Sequence, residues 1–219
     1  MTPRAVLLDC DGVLVDSEPI AFGLLAGDLA RHGLPMDHAE MEARFMGGTI
    51  PGLWAGARAL GADLPEGWVT DFYARLYARL ALGCPAMPGA EALLDALDAA
   101  GVGYAVGSNG APRKMEITLS QHPRLWNRLR DRAFSGQALG CPKPDPGLWR
   151  HCAAALGAAP ADCVVIDDSP AGAIAAQRAG IRCLGLATGG KGSAGAARLL
   201  AEGAEIVESL DEARALLGF

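Results

Sequence analysis

Short uninterrupted apolar runs recur along the chain, each stopping at small or acidic residues. The first is RAVLL (4–8), which ends at the turn Asp9–Cys10–Asp11–Gly12. The same grammar returns in GVGYAVGSNG (101–110), DRAFSG (131–136), CVVIDDSPAG (163–172), IRCLGLATGG (181–190) and AEIVES (204–209). A run of this length without polar alternation suits a strand buried on both faces, the usual condition of parallel sheets. Most runs are followed by stretches with helical spacing, such as PGAEALLDALDAAG (88–101), DPGLWRHCAAALG (145–157) and SPAGAIAAQRAG (169–180). The last carries a serine at the cap position, a proline at N1 and a closing glycine. TGGKGSAGAA (188–197) reads as a loop leading into a further helix. Strands alternating with helices predict an α/β fold with a doubly wound parallel sheet.

Residues 17–85 break that alternation. The pattern there predicts helices over 17–32, 38–46, 50–60 and 66–82, divided by Gly33–Leu34–Pro35, Met46–Gly47–Gly48 and the segment Gly61 to Pro65. The expected organisation is a core of 1–16 and 86–219 with an α-helical insertion over 17–85. Composition narrows the function classes. The 219 residues are 51% apolar, 20% charged and only 5% aromatic, with a net charge of −6 and no basic run. That balance lacks the electrostatic footprint of a nucleic-acid binder. The six cysteines form no CxxC pair and match no zinc spacing, so they read as small buried hydrophobes of a reducing compartment. The N-terminal apolar run is too short for a signal peptide, and no segment has the length of a membrane span. A cytoplasmic protein without nucleic-acid or membrane partners is expected, a monomer or weak homodimer.

In open parallel sheets, ligands bind outside the carboxyl ends of the strands. There the first strand supplies Asp9 and Asp11, the second Ser108 and Asn109, and the fourth Asp167 and Asp168. Lys143 lies in CPKPDP (141–146), just before a helix. Taken singly, these residues have ordinary readings: turn formers, charges at a helix N-terminus, a capping hydroxyl, a solvated lysine. Taken together, four carboxylates at one edge repel each other unless a cation intervenes. Oxygen donors of this kind favour Mg²⁺, which also accepts phosphate oxygens. Cys10 alternates away from its two aspartates and is expected to pack. His32, His38, His122 and His151 share no ligand spacing.

In order, MTPRAVLLDCDGVLVDSE, VGSNG, CPKPDP and VVIDDSPAG resemble the four motifs of the haloacid dehalogenase-like (HAD) phosphohydrolase superfamily. The helical insertion resembles the C1 cap of its phosphoglycolate-phosphatase and β-phosphoglucomutase-like branch. The resemblance covers essentially the whole chain and implies a Rossmann-like core. It implies Asp9 as a nucleophile that becomes an aspartyl-phosphate, and Asp11 as the general acid and base. It implies Mg²⁺ held by Asp9, the Asp11 backbone carbonyl and Asp168, with Asp167 binding directly or through water. Ser108, the Asn109 amide and Lys143 would hold the phosphate oxygens. The implied substrate is a small phosphorylated metabolite, a sugar phosphate or a phosphoglycolate-like acid. Asp16 and Ser17 are expected to cap the first inserted helix. Arg44, Phe45, Gly47, Gly48 and Thr49 are candidate substrate contacts, with Arg44 either an anion partner or a surface charge.

Of three departures from the family pattern, two bear on the reaction. Val13 stands where threonine is common, a replacement that fits this branch. Sugar-phosphate mutases of the branch place a histidine five residues after the aspartate that closes the first motif, where this chain has Ala21. They also place an arginine after the glycine-rich turn, where this chain has Ile50. Both apolar replacements favour hydrolysis over a β-phosphoglucomutase-type transfer. Asp11 argues against dehalogenation, which has no alkoxide to protonate. A receiver-like or other phosphate-binding module is the non-enzymatic alternative, but receivers are shorter and carry adjacent acids where this chain has Asp9 and Asp11.

Overall fold

The computed structural model describes residues 2–45 and 49–219, and the side chains of 38, 39, 42 and 43 are excepted. The chain divides into two compact units, Met1–Asp16 with Pro85–Phe219, and Ser17–Cys84. Each is built from its own local patterns.

The larger unit is an α/β core. In chain order it contains β1 (Ala5–Leu8), then, beyond the residues of the smaller unit, whose helices take the labels before it, α5 (Ala90–Ala100), β2 (Gly103–Ser108), α6 (Pro112–Leu119), α7 (Pro123–Leu129) and β3 (Ala133–Ser135). It continues through α8 (Gly136–Leu139), α9 (Gly147–Ala155), β4 (Cys163–Asp167), α10 (Pro170–Ala179), β5 (Arg182–Leu186), α11 (Ala194–Ala201), β6 (Glu205–Val207) and α12 (Leu210–Leu217). The six strands form one parallel sheet in the order β3-β2-β1-β4-β5-β6. The chain therefore builds outward from β1 on one side, then crosses back to β4 on the other. The carboxyl ends of β1 and β4 flank the point where strand order reverses, the place where such sheets open a crevice.

The register explains which side chains meet there. Ala5 pairs with Cys163 and Leu7 with Val165, and these four face one helical layer. Trp149 and Cys152 of α9, Ala173 and Ala176 of α10 and Leu199 of α11 close that layer. Trp149 is fully buried against Gly107 of β2, where an added Cβ would come within 2.7 Å of the indole. Small residues on α10 let the helix approach the sheet closely, which is what the alanine-rich SPAGAIAAQRAG stretch provides. Full burial of a leucine- or phenylalanine-sized side chain contributes about 1.5–3 kcal/mol, and this core holds many. The hydrophobic pattern does not single out α6 and α7, whose short stretches begin at Pro112 and Pro123 and carry too few apolar positions for a clear stripe.

The smaller unit contains α1 (Glu18–Arg31), α2 (His38–Phe45), α3 (Ile50–Ala59) and α4 (Trp68–Ala81), with no strand among its described residues. Its expected helices differ from these by at most two residues at each end, the range over which helix ends fray. Thr49 caps α3 by accepting from Gly52 N at 3.1 Å. Ser17 precedes α1 but, contrary to expectation, makes no side-chain cap bond. Its own backbone is already helical (φ −90°, ψ −16°), so the hydroxyl is not directed at the free amides, and Pro19 removes one donor there. Among the described residues Asp28 is the buried charge of this unit. Its carboxylate accepts from Trp68 Nε1 at 2.8 Å and from both terminal nitrogens of Arg75 at 2.8 and 2.5 Å, and it also pairs with Arg31. Among the described residues no helix is long and apolar enough to cross a membrane.

Candidate active site

Each strand end delivers its residue for a local reason. β1 stops at Asp9 because the chain turns at once: Leu14 N and Val15 N both donate to the Cys10 carbonyl, and Gly12 N donates to Val15 O. Gly12 makes that turn with φ 75°, a conformation that favours glycine. A Cβ there would lie 1.8 Å from Asp168 Oδ2, so the bare Gly12 backbone forms the seat of the Asp168 carboxylate. β4 ends at Asp167, which is fully buried. Its Oδ1 accepts from Ser169 N at 2.8 Å and from the Ser169 hydroxyl at 2.6 Å. The same Ser169 oxygen caps α10 by accepting from Gly172 N at 3.1 Å. The expected serine cap thus also orients an acid of the site.

Lys143 joins these two strands. Its ammonium donates to Asp9 Oδ1 at 2.7 Å and to Asp167 Oδ2 at 2.8 Å, with its side chain only 3% exposed. It lies 4.8 Å from the Trp149 ring centroid, so the buried indole forms a floor under the cation. Asn109 braces the Lys143 backbone from β2: Lys143 N donates to Asn109 Oδ1 at 2.7 Å, and Asn109 Nδ2 donates to Lys143 O at 2.9 Å. Ser108 is buried, and its hydroxyl oxygen accepts from Gly110 N at 2.9 Å. Ser135 ties the same loop by donating to Gly110 O at 2.7 Å.

The electrostatics follow from burial and crowding. Burial pushes the Asp9 carboxyl up, Lys143 pulls it down, and the charges of Asp167 and Asp11 add to the rise, leaving it at about 7. Burial alone would lower the Lys143 ammonium, yet the charges of Asp167 and Asp9 hold it well above the usual lysine range. The Cys10 thiol is pushed well up by burial and by the charges of Asp11 and Asp9, so it stays a protonated, packed group.

Carboxylate oxygens of Asp9, Asp167 and Asp168 lie within 4.8 Å of one another. This is an all-oxygen donor set of the kind that hard divalent cations take, and a cation among these groups would keep Asp9 ionised. The Gly12 seat under Asp168 gives the set one fixed member.

Asp9, Asp167, Asp168 and Lys143 therefore meet, with Ser108 ending the adjoining strand and Asn109 just beyond it. Asp11 is joined to Lys114, whose ammonium lies 2.8 Å from Asp11 Oδ1. Lys114 and Trp149 are the site residues that sequence reasoning missed. A lysine early in a helix normally reads as solvated, but Trp149 was visible as one of only four tryptophans, in the stretch that follows Lys143.

The candidate contacts in the helical unit behave locally. Arg44 is exposed and pairs with Glu40 one turn earlier at 3.1 Å, and Phe45 packs against Gly56 of α3. Thr49 is the α3 cap already described, and Gly47 and Gly48 lie outside the described residues.

Comparison with known proteins places the chain in a family. The sequence model of the haloacid dehalogenase-like hydrolases matches residues 3–180. The chain is 34% identical over 180 residues to the 6-phosphogluconate phosphatase of Escherichia coli K12, covering 81% of this chain and 80% of that protein. It is 31% identical over 228 residues to the validoxylamine A 7'-phosphate phosphatase of Streptomyces hygroscopicus subsp. limoneus, covering 96% of each. Among solved structures, a HAD family hydrolase from Deinococcus radiodurans R1 with bound phosphate and sodium superposes with a TM-score of 0.80. It is 33% identical, over 99% of this chain and 95% of that one. The motif residues assembled at the strand switch point and the family match lead to one assignment: the chain belongs to the haloacid dehalogenase-like hydrolases and is an enzyme of that family.

Proposed function

We propose that the protein is a Mg²⁺-dependent phosphatase that hydrolyses a small phosphorylated metabolite through an aspartyl-phosphate on Asp9. The observation that carries this reading is the Asp9, Asp167 and Asp168 cluster bridged by Lys143 at the strand switch point. Two of the relatives named above are a 6-phosphogluconate phosphatase and a validoxylamine A 7'-phosphate phosphatase, which supports a small phosphorylated metabolite as the substrate. In this reading the helical unit Ser17–Cys84 is the inserted cap.

Asp9, Asp168 and Asp167 would hold the metal with the Asp11 backbone carbonyl. Bound Mg²⁺ supplies the positive charge that lets an anionic carboxylate approach an anionic phosphate. Asp9 attacks phosphorus, and the ester oxygen departs with a proton from Asp11. Asp11 then takes a proton from the water that attacks the aspartyl-phosphate, which frees inorganic phosphate and restores Asp9. Ser108, the Asn109 amide and Lys143 hold the phosphoryl oxygens, the electrostatic work on which this transfer depends. Asn109's side chain keeps the Lys143 backbone fixed meanwhile.

The test is a phosphate-release panel with Mg²⁺ containing p-nitrophenyl phosphate, 6-phosphogluconate, phosphoglycolate, a hexitol phosphate and a hexose 1-phosphate. Release from at least one alkyl phosphate is expected, abolished in Asp9→Asn and by EDTA. A hexose 1-phosphate should give free sugar and phosphate, because Ala21 and Ile50 lack the mutase side chains. Undiminished turnover in Asp9→Asn removes Asp9 as nucleophile, and hexose 6-phosphate as the dominant product overturns hydrolysis.

A further inference from the structure

Lys114 stands on the first turn of α6, outside the four motif segments, and pairs with Asp11 of the first. Its ammonium engages one carboxylate oxygen of Asp11, Oδ1, at 2.8 Å. Both side chains are sheltered, 18% and 21% exposed, unlike the surface ion pairs that contribute little. The other oxygen lies elsewhere. A Cβ placed on Gly110 would be 3.7 Å from Asp11 Oδ2, 3.1 Å from Ser108 Oγ and 3.5 Å from the Lys114 stem at Cδ. Asp11 Oδ2 and the Ser108 hydroxyl thus border one small volume, with the Lys114 methylenes along its wall.

We propose that Lys114 is a positioning residue for the acid–base group: it clamps Asp11 Oδ1 so that Oδ2 is the atom that hands the proton to the departing oxygen. This rests on the phosphatase reading and adds the atom and its holder. In that step the Asp9 oxygen–phosphorus bond forms as the phosphorus–ester oxygen bond breaks. The ester oxygen leaves with the electron pair and takes the proton from Asp11 Oδ2. An alkoxide needs that proton in order to leave, whereas p-nitrophenolate leaves without it. Loss of the clamp should therefore fall hardest on alkyl esters.

The experiment compares kcat/KM of Lys114→Met and Lys114→Arg with that of the parent enzyme on two esters. These are p-nitrophenyl phosphate and the alkyl phosphate turned over best in the panel above. kcat/KM reports the steps through leaving-group departure, so hydrolysis of the aspartyl-phosphate does not mask the effect. The two esters are assayed on the same preparation, and any loss of folded protein cancels in their ratio. General acid catalysis contributes about 10²–10⁴-fold, so Lys114→Met should lose about tenfold or more in the alkyl-to-aryl ratio. Lys114→Arg, which retains a cation, should recover most of that ratio. Equal losses on both esters overturn the clamp, as does an arginine variant no better than methionine. Absence of hydrolysis of both esters by the parent enzyme instead overturns the phosphatase reading, and the clamp with it.

Discussion

Gly12 leaves no room for a side chain, because its φ is 75° and its missing Cβ would overlap the Asp168 carboxylate. Gly12→Ala must therefore strain the turn or displace Asp168. Backbone strain of this kind costs about 1–3 kcal/mol. Displacement of a site group by about 1 Å costs on the order of a hundredfold in rate. A lowered Tm together with a kcat reduced by about that factor is expected; a variant with parental kcat would show that Asp168 does not need its glycine seat. At this scale the acids and Lys143 were legible, and Lys114 was not. Asp9 and Asp11 announce themselves because a strand that ends in two acids and a glycine is a local pattern. Lys114 carries no such mark, since only the fold brings α6 alongside the turn after β1.

The helices raise a different question, because α1 and α4 share a buried charge. Burial pushes the Asp28 carboxyl up, but hydrogen bonds from Arg75 and Trp68 and the Arg75 charge outweigh it, and its pKa is held below the ordinary 3.8. A carboxyl lowered in the folded state stabilises fully above its unfolded value, and that stabilisation disappears as pH falls through the folded one. Asp28→Asn should cost about 1.5–3 kcal/mol at neutral pH, the worth of hydrogen bonds to a charged group. Urea denaturation of both proteins checks this: the difference should shrink well below pH 3.8, and a difference constant with pH would remove the charge as its cause. Nothing in the helical spacing of 17–32 or 66–82 foretold this network. An aspartate in α1 and an arginine in α4 each read as a solvated polar position until the two helices pack. Helix starts were clearest where a cap residue acts through its own side chain, as Ser169 does, and failed at Ser17, whose backbone had already turned helical.

For the molecule as a whole, the three carboxylates of Asp9, Asp167 and Asp168 lie in one cluster with a single ammonium, Lys143, against two of them, which leaves negative charge in excess. A bound divalent cation should relieve that. At free Mg²⁺ a hundredfold above its Kd, binding adds about 2.7 kcal/mol, or about 5–11 °C in Tm for a chain of this size. Thermal unfolding with and without Mg²⁺ measures the shift, and Asp168→Ala should lose most of it. An equal shift in that variant would locate the ion elsewhere.

The α/β class, the helical insertion and the positions of the acids are legible in the chain alone, because strand burial, helix spacing and strand-end turns are local properties of a few consecutive residues. Only the packed fold decided that Lys143 bridges Asp9 and Asp167 over Trp149, and that Lys114 pairs with Asp11. It also decided that Gly12 must be bare to seat Asp168. Those contacts join residues on different strands and helices, and their geometry is set by the order β3-β2-β1-β4-β5-β6 and the register between β1 and β4. Nonlocal pairing of that kind is a property of the packed sheet, and no window of neighbouring residues contains it.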